Sequence, residues 1–322
     1  MTKGKVILDF TGIYEQETEL GKICDSSVSF RNLDGSRGYC AEETAEEIRL
    51  RLKDLPTESI CFLDNGNMHY ISFFRLEKVR KSFALAVFDH HTDMQPSALL
   101  PLLSCGNWLL ESLEKNPYLQ QVLLIGPPKE SWEQAKALLP PDLHHKVLWI
   151  PETAKPGENT WQPASAPGQY TDDEKMDPNE ESSCFSQPQR GDTDGNKIPA
   201  CYGEILCQNM AGDEDSACQG ETLCRHTVGR ESEMPGAGWN SIRADLPLFL
   251  SIDKDILRGE DLSVNWDQGT MPFADLKEWI ARMKEDRSVL GVDICGEPEP
   301  GEDSRQSEAI NLALLDLLAG EM

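Results

Sequence analysis

The sequence predicts an α/β protein built on a mostly parallel sheet covered by helices on both sides. Three observations carry that expectation. Short apolar runs rich in Val, Ile, Leu and Phe recur along the chain, and amphipathic stretches of helical period lie between them. The runs are also apolar on both faces, as buried parallel strands are. Strand and helix alternating in this way mean a parallel sheet with helical crossovers.

The runs are, in order, "KVILDF", "SICFLD", "FALAVFD", "QVLLIG", "KVLWI", "PLFLSID" and "VLGVDIC". The helical stretches are "AEETAEEIRLRLKDL", "GNWLLESLEKN", "SWEQAKALL", "FADLKEWIARMKED" and "SRQSEAINLALLDLL". A chain of 322 residues can bury a sizeable core, as one large domain or two small ones. The expectation is a single α/β domain over residues 1–322, interrupted between residues 151 and 245. There, from "PETAKPGENTWQ" onward, the texture turns to Pro, Gly, Ser, Asp and Glu. Such a segment cannot bury enough apolar surface to offset its ordering entropy. A disordered acidic insertion between two strands is expected, with the fold resuming at "LPLFLSID".

Within that insertion Cys201, Cys207, Cys218, Cys224 and His226 lie close together, with Cys184 upstream. Zinc modules usually open with cysteines two to four apart, and the gaps here are wider. Uninvolved thiols are favoured over a structural metal. The ten cysteines follow no compact framework, and Cys61, Cys105 and Cys295 sit in or beside apolar segments. Reduced thiols of a cytoplasmic protein are expected. The first residues, "MTKGKVILDFTG", lack the apolar core and cleavage site of a secretory signal, and no apolar run approaches the ~20 residues that span a bilayer. A formal charge of −26 argues against nucleic acid or an anionic membrane as partner, since those surfaces are bound by excess Lys and Arg. A homo-oligomer is left open.

The chemistry gathers at the strand ends. "SICFL" is followed by "DNGNMHY", which carries His69; "FALAVF" by Asp89, His91 and Asp93; "LPLFLSI" by Asp253 and Asp255; and "VLGV" by Asp293, with Glu297 beyond. Ligand sites in open α/β sheets form outside the carboxyl ends of the strands. In extended chain, residues i, i+2 and i+4 share a face, so Asp89, His91 and Asp93 converge while His90 and Thr92 turn away. Asp253 and Asp255 repeat the pattern around Lys254. A lone Asp-x-Asp is common at turns and caps, but three such groups on one side of a strand end would otherwise repel or stay unsatisfied. Oxygen and imidazole donors suit Mn²⁺ or a similar divalent ion better than structural zinc. Six ligands, His69, Asp89, His91, Asp93, Asp253 and Asp255, fit two ions ~3.5–4 Å apart.

These residues, in this order, resemble the ureohydrolase superfamily of arginases, agmatinases and formiminoglutamases. The motifs are "NGNMHY", "FDHHTDMQ" and "LSIDKDIL", which match a Gly-rich turn with a His, then Asp-x-His-x-Asp, then Ser-x-Asp-x-Asp. The resemblance covers most of the chain outside the insertion. It implies a three-layer α/β/α fold of the arginase and deacetylase kind and two Mn²⁺ ions per chain bridged by hydroxide. It further implies that His69, Asp89, Asp93 and Asp253 hold one ion and that His91, Asp89, Asp253 and Asp255 hold the other. Asp93 would orient the attacking hydroxide as a catalytic residue.

Two departures are visible. "SCGNWLL" resembles the family's Ser-Gly-Asn-x-His loop, with Asn107 at the substrate-contacting Asn but no His. An N-cap of the following helix is the other reading of Asn107. "GVDICGEPEP" resembles the segment ending in a guanidinium-pairing Glu, yet Glu297 falls one residue late, which leaves Asp293 as an alternative contact and an acidic surface loop as the plain reading. "NWDQGTM" looks like the family's Gly-Thr loop. The expected function is a binuclear Mn-dependent hydrolase of a C–N bond in a small, cationic substrate other than arginine, with Glu297 catalytic or substrate-binding. A single-zinc deacetylase-like amidohydrolase and a catalytically weak metal-binding regulatory protein are the alternatives. The tripeptide Asp89-His90-His91 also suggests a DHH phosphoesterase, but in that family an Asp-x-Asp element precedes the tripeptide, whereas Asp253-x-Asp255 follows it here.

Overall fold

The apolar runs read as strands all enter one eight-stranded sheet. The computed structural model describes residues 4–96, 102–156 and 243–319. Its strands are β1 (Lys5–Asp9), β2 (Ser26–Ser29), β3 (Tyr39–Cys40), β4 (Ile60–Phe62), β5 (Phe83–Phe88), β6 (Leu103–Ser104), β7 (Leu119–Gly126), β8 (Val147–Pro151), β9 (Leu248–Asp253) and β10 (Val289–Cys295). Its α-helices are α1 (Thr18–Ile23), α2 (Glu42–Leu52), α3 (Ile71–Leu76), α4 (Trp108–Lys115), α5 (Lys129–Leu138), α6 (Phe273–Asp286) and α7 (Arg305–Ala319). The sheet runs β2-β1-β4-β10-β9-β5-β7-β8, and each pairing in it is parallel. β3 and β6 form a separate antiparallel pair.

Strand alternation divides the core into two layers. Phe83, Leu85 and Val87 of β5 pack with α2, α3 and α4, whereas Ala84, Ala86 and Phe88 pack with α6 and α7. α6 shows why it docks there: Leu276, Trp279, Ile280 and Met283 are buried at helical spacing on one stripe. The architecture is therefore three-layered, α/β/α. These elements fall in one compact unit, Met1–Gln162 with Glu233–Met322. The acidic stretch and its cysteines, residues 157–242, lie outside the described residues. No described helix is long and apolar enough to cross a membrane.

Because the strands are parallel, their carboxyl ends share one rim. Parity then decides which layer each rim residue enters. Phe249 faces α3 and α4, so Ser251 and Asp253 of the same strand do too, and Lys254 emerges on the opposite side. By the same parity Asp89, next but one after Val87, continues toward the α3 and α4 layer.

Candidate metal centre

β5 stops at Phe88, and Asp89 to Asp93 form a loop in which Asp93 has a left-handed backbone, φ 49°. The extended chain expected from 89 to 93 is not there. Convergence comes instead from two turns of the same design. Asp89 Oδ1 accepts from the backbone N–H of His91 at 2.6 Å, and Asp253 Oδ1 accepts from that of Asp255 at 3.0 Å. A side chain that bonds its own backbone two residues on fixes residues i and i+2 on one side of the turn. Asp255 Oδ1 then accepts from the backbone N–H of His90 at 3.0 Å, tying the two loops together.

All six expected ligands meet. His69 follows a turn of 3₁₀-helix, Gly66–Met68, capped by the Asn65 side chain. Its Nδ1 lies 3.2 Å from Asp89 Oδ2, 3.1 Å from Asp93 Oδ2 and 3.5 Å from Asp253 Oδ2. His91 Nδ1 lies 2.9 Å from Asp255 Oδ2 and 3.5 Å from Asp89 Oδ1. Two overlapping groups can hold a metal ion: His69, Asp89 and Asp253, and Asp89, His91 and Asp255, with ligand atoms within 4.8 Å of one another in each. The first is buried. The second opens through His91, whose side chain is 34% exposed.

Four carboxylates face two imidazoles here, and so many acidic groups cannot all be ionised in a buried space without a cation. Burial, then the charge of Asp89, pushes the Asp93 carboxyl up to about 7. Burial also raises Asp253, and with the charge of Asp253 it raises Asp255 well above the usual carboxylate range. Burial opposes charge on the rings, but hydrogen bonds to Asp89 and Asp93 carry His69 well above its ordinary value, and those to Asp255 and Asp89 carry His91 up to about 12. Asp89 moves down: burial works against it, and the two histidines outweigh that. Burial, and then the charge of Asp93, pushes the nearby Cys105 thiol up to about 12. Hard oxygen and imidazole donors gathered this closely fit a divalent cation.

The expected substrate contacts are placed differently. Asn107 stands at the N-cap position of α4 but makes no capping bond; its Oδ1 accepts from the backbone N–H of Ser104 at 2.7 Å and its Nδ2 donates to the Leu102 carbonyl at 2.8 Å. Asp293 is the buried partner of Arg75, 3.1 Å from Nε, in mid-strand rather than at the rim. Glu297 sits in the other layer, where its Oε1 accepts from Lys254 Nζ at 2.6 Å and from Asn311 Nδ2 at 2.8 Å, with Ser307 on Oε2. Gly296 is the cause. Its φ is +90°, and a Cβ there would lie 2.5 Å from Asp253 Oδ1, so no side chain can stand at that point and the next one is sent across the sheet.

Two tryptophans frame the cluster, and sequence reasoning assigned neither a role. Trp108 is wholly buried, donates from Nε1 to Asp93 Oδ2 at 2.5 Å and lies 4.7 Å from the His69 ring. Trp266 is partly exposed, edge-on to His91 at 5.8 Å. A Cβ at Gly66 would be 2.7 Å from its Nε1, so the glycine of "NGNMH" makes room for this indole. The available signal was a large aromatic isolated in the polar run "SVNWDQGT". His90 points away from the ligands, its Nδ1 4.0 Å from Glu152 Oε2, and with His91, Gln95, Ser131, Gln134 and Asp267 it lines a cavity of about 440 Å³.

The fold is similar to those of several solved structures. Proclavaminate amidino hydrolase from Streptomyces clavuligerus superposes with a TM-score of 0.54 at 10% identity, over 99% of this chain and 91% of that one. An Entamoeba histolytica arginase solved with L-ornithine gives 0.54 at 12%, over all of both chains. Formimidoylglutamase from Bacillus subtilis gives 0.52 at 11%, over 98% and 87%. In sequence the chain is 26% identical over 316 residues to a Thermotoga maritima protein described as uncharacterized, spanning 97% of this chain and 88% of that one. No family model matches.

Proposed function

We propose, from the ureohydrolase fold this chain has, that it is a binuclear metal-dependent hydrolase of a carbon–nitrogen bond in a guanidino, amidino or amide compound. One observation carries the reading: four buried carboxylates and the buried His69 converge on the sheet rim, with the partly exposed His91 completing the donor set. His69, Asp89, Asp93 and Asp253 are assigned to one ion and Asp89, His91, Asp253 and Asp255 to the other, with Mn²⁺ the ion best suited to these donors. Bound divalent ions supply a water acidic enough to attack near neutral pH and a positive field for the charge developing on the substrate.

The chain's own part is positioning. The turn bonds of Asp89 and Asp253 hold their Oδ2 atoms toward the cluster. Asp93 orients the attacking water by accepting its hydrogen bond. The substrate is received by the cavity of His90, Gln95, Ser131, Gln134 and Asp267. Among the described residues that wall carries one carboxylate, Asp267, beside the imidazoles of His90 and His91, and no Lys or Arg. Asn107, Asp293 and Glu297 are buried, with Arg75 on Asp293 and Lys254 on Glu297, so a site built for arginine is not expected.

The test is the full chain loaded with Mn²⁺. Two ions per chain, with urea or ammonia released from a member of a guanidino, amidino and formimino panel and lost in Asp253→Ala, is the expected result. One zinc per chain would sink the binuclear reading. A second reading, a catalytically weak metal-binding protein, is favoured by Trp108, whose N–H already occupies Asp93 Oδ2. It predicts two bound ions and no turnover across the panel.

A further inference from the structure

Behind the cluster lies a polar stripe that the proposed chemistry does not use. His69, Ser72 and Arg75 are three residues apart around α3, and Ser251 and Asp293 are register partners on neighbouring strands β9 and β10. None of the five is more than 1% exposed. Burying polar groups costs free energy unless each is hydrogen-bonded, so an apolar interior would be the simpler solution. Arg75 has a structural duty, donating to the carbonyls of Pro56, Thr57 and Ser59 before β4 and from Nε to Asp293. That duty explains Arg75 and Asp293. It does not explain the two serines.

The serine hydroxyls lead to His69. His69 Nε2 lies 2.8 Å from Ser251 Oγ, and Ser251 Oγ lies 3.3 Å from Ser72 Oγ. Asp293 Oδ2 is buried without a hydrogen-bond partner, and the Ser72 hydroxyl helps offset the burial of that carboxyl. Ser251 Oγ is placed to accept from an Nε2–H of His69, with Ser72 behind it. That contact holds the ring so that Nδ1 faces Asp89, Asp93 and Asp253. We propose that Ser251, backed by Ser72, is a positioning residue that fixes the ring orientation of His69 and so sets the affinity of the inner metal site.

The inference rests on the metal reading above, and two separate readouts keep the two apart. In ¹⁵N-histidine-labelled, metal-free protein, wild type should show a His69 Nε2–H proton protected from solvent exchange. Ser251→Ala should lose that resonance while the fold persists. In a Mn²⁺ titration the same variant should bind the inner ion about 10- to 100-fold more weakly, the usual cost of removing an outer partner of a ligating histidine. Ser72→Ala, one link further back and with no side-chain hydrogen bond to His69, should weaken both signals in the same direction. It decides the matter if Ser251→Ala does not fold. A wild type without the protected proton, or a folded variant with proton and Mn²⁺ affinity unchanged, would overturn the relay. A protected proton in a wild type that binds no Mn²⁺ would overturn the metal reading and leave the hydrogen-bond relay standing.

Discussion

Trp108 Nε1 donates to Asp93 Oδ2, so the oxygen that faces the cluster is held by the protein itself. Trp108→Phe keeps the ring beside His69 and removes the donor. Without metal, a buried carboxyl then loses a partner, and stability should fall by about 1–3 kcal/mol. With Mn²⁺ bound the loss should shrink, because the cation takes over that oxygen. Denaturant unfolding of both proteins with and without Mn²⁺ checks this. An equal loss in the two states would remove Asp93 from the ligand set.

His91 and His90 are chain neighbours with separate surroundings: Nδ1 of the first is 2.9 Å from Asp255, and that of the second is 4.0 Å from Glu152 on the cavity wall. His91→Ala is expected to weaken Mn²⁺ binding at least ~10-fold and to lower the metal count per chain. His90→Ala should keep both ions and alter only what the cavity accepts. Metal analysis after dialysis against fixed free Mn²⁺ separates them. Comparable metal loss from both would mean that the ring of His90 also reaches the cluster.

Glu17 offers a pH signature away from the metal. Its Oε2 accepts from Asn311 Nδ2 at 2.9 Å, its Oε1 is buried without a partner, and burial, then the charge of Glu297, pushes its carboxyl up to about 9. The folded state therefore holds a proton that the unfolded chain releases near its ordinary value. The stabilisation is complete below that value and is lost as pH rises toward 9, at about 1.4 kcal/mol per pH unit from this group. Glu17→Gln should flatten that slope and leave the variant the more stable protein at pH 9. Urea unfolding between pH 6 and pH 9 measures it, and an unchanged slope would show that Glu17 is already ionised.

The strands were legible because each is apolar on both faces, and the five longer helices because their stripes repeat at helical spacing. β2, "SSVS", carries no such pattern because it is a mostly exposed edge strand. α3 was missed for the opposite reason, since each of its residues is buried and no polar face marks its period. The ligand types were readable at the strand ends, but the geometry bringing them together was a side-chain turn rather than strand alternation. Glu297 could not be placed by counting, since the left-handed Gly296 resets the parity on which counting depends. Trp108 registered in the sequence only as the absence of a histidine.

The sheet order has a consequence for the time course of assembly. β9 lies between β10 and β5, yet in the chain it comes after β8 and the whole stretch 157–242. During synthesis His69, Asp89, His91 and Asp93 therefore exist long before Asp253 and Asp255. Until β9 slots in, β5 offers an unpaired central edge and the early carboxylates have no complete partner set. Pairings of such long sequence separation form slowly. On the proposed metal reading, a complete ligand set exists only once β9 is in place, and the rate of Mn²⁺ uptake by refolding protein should follow the insertion of that strand.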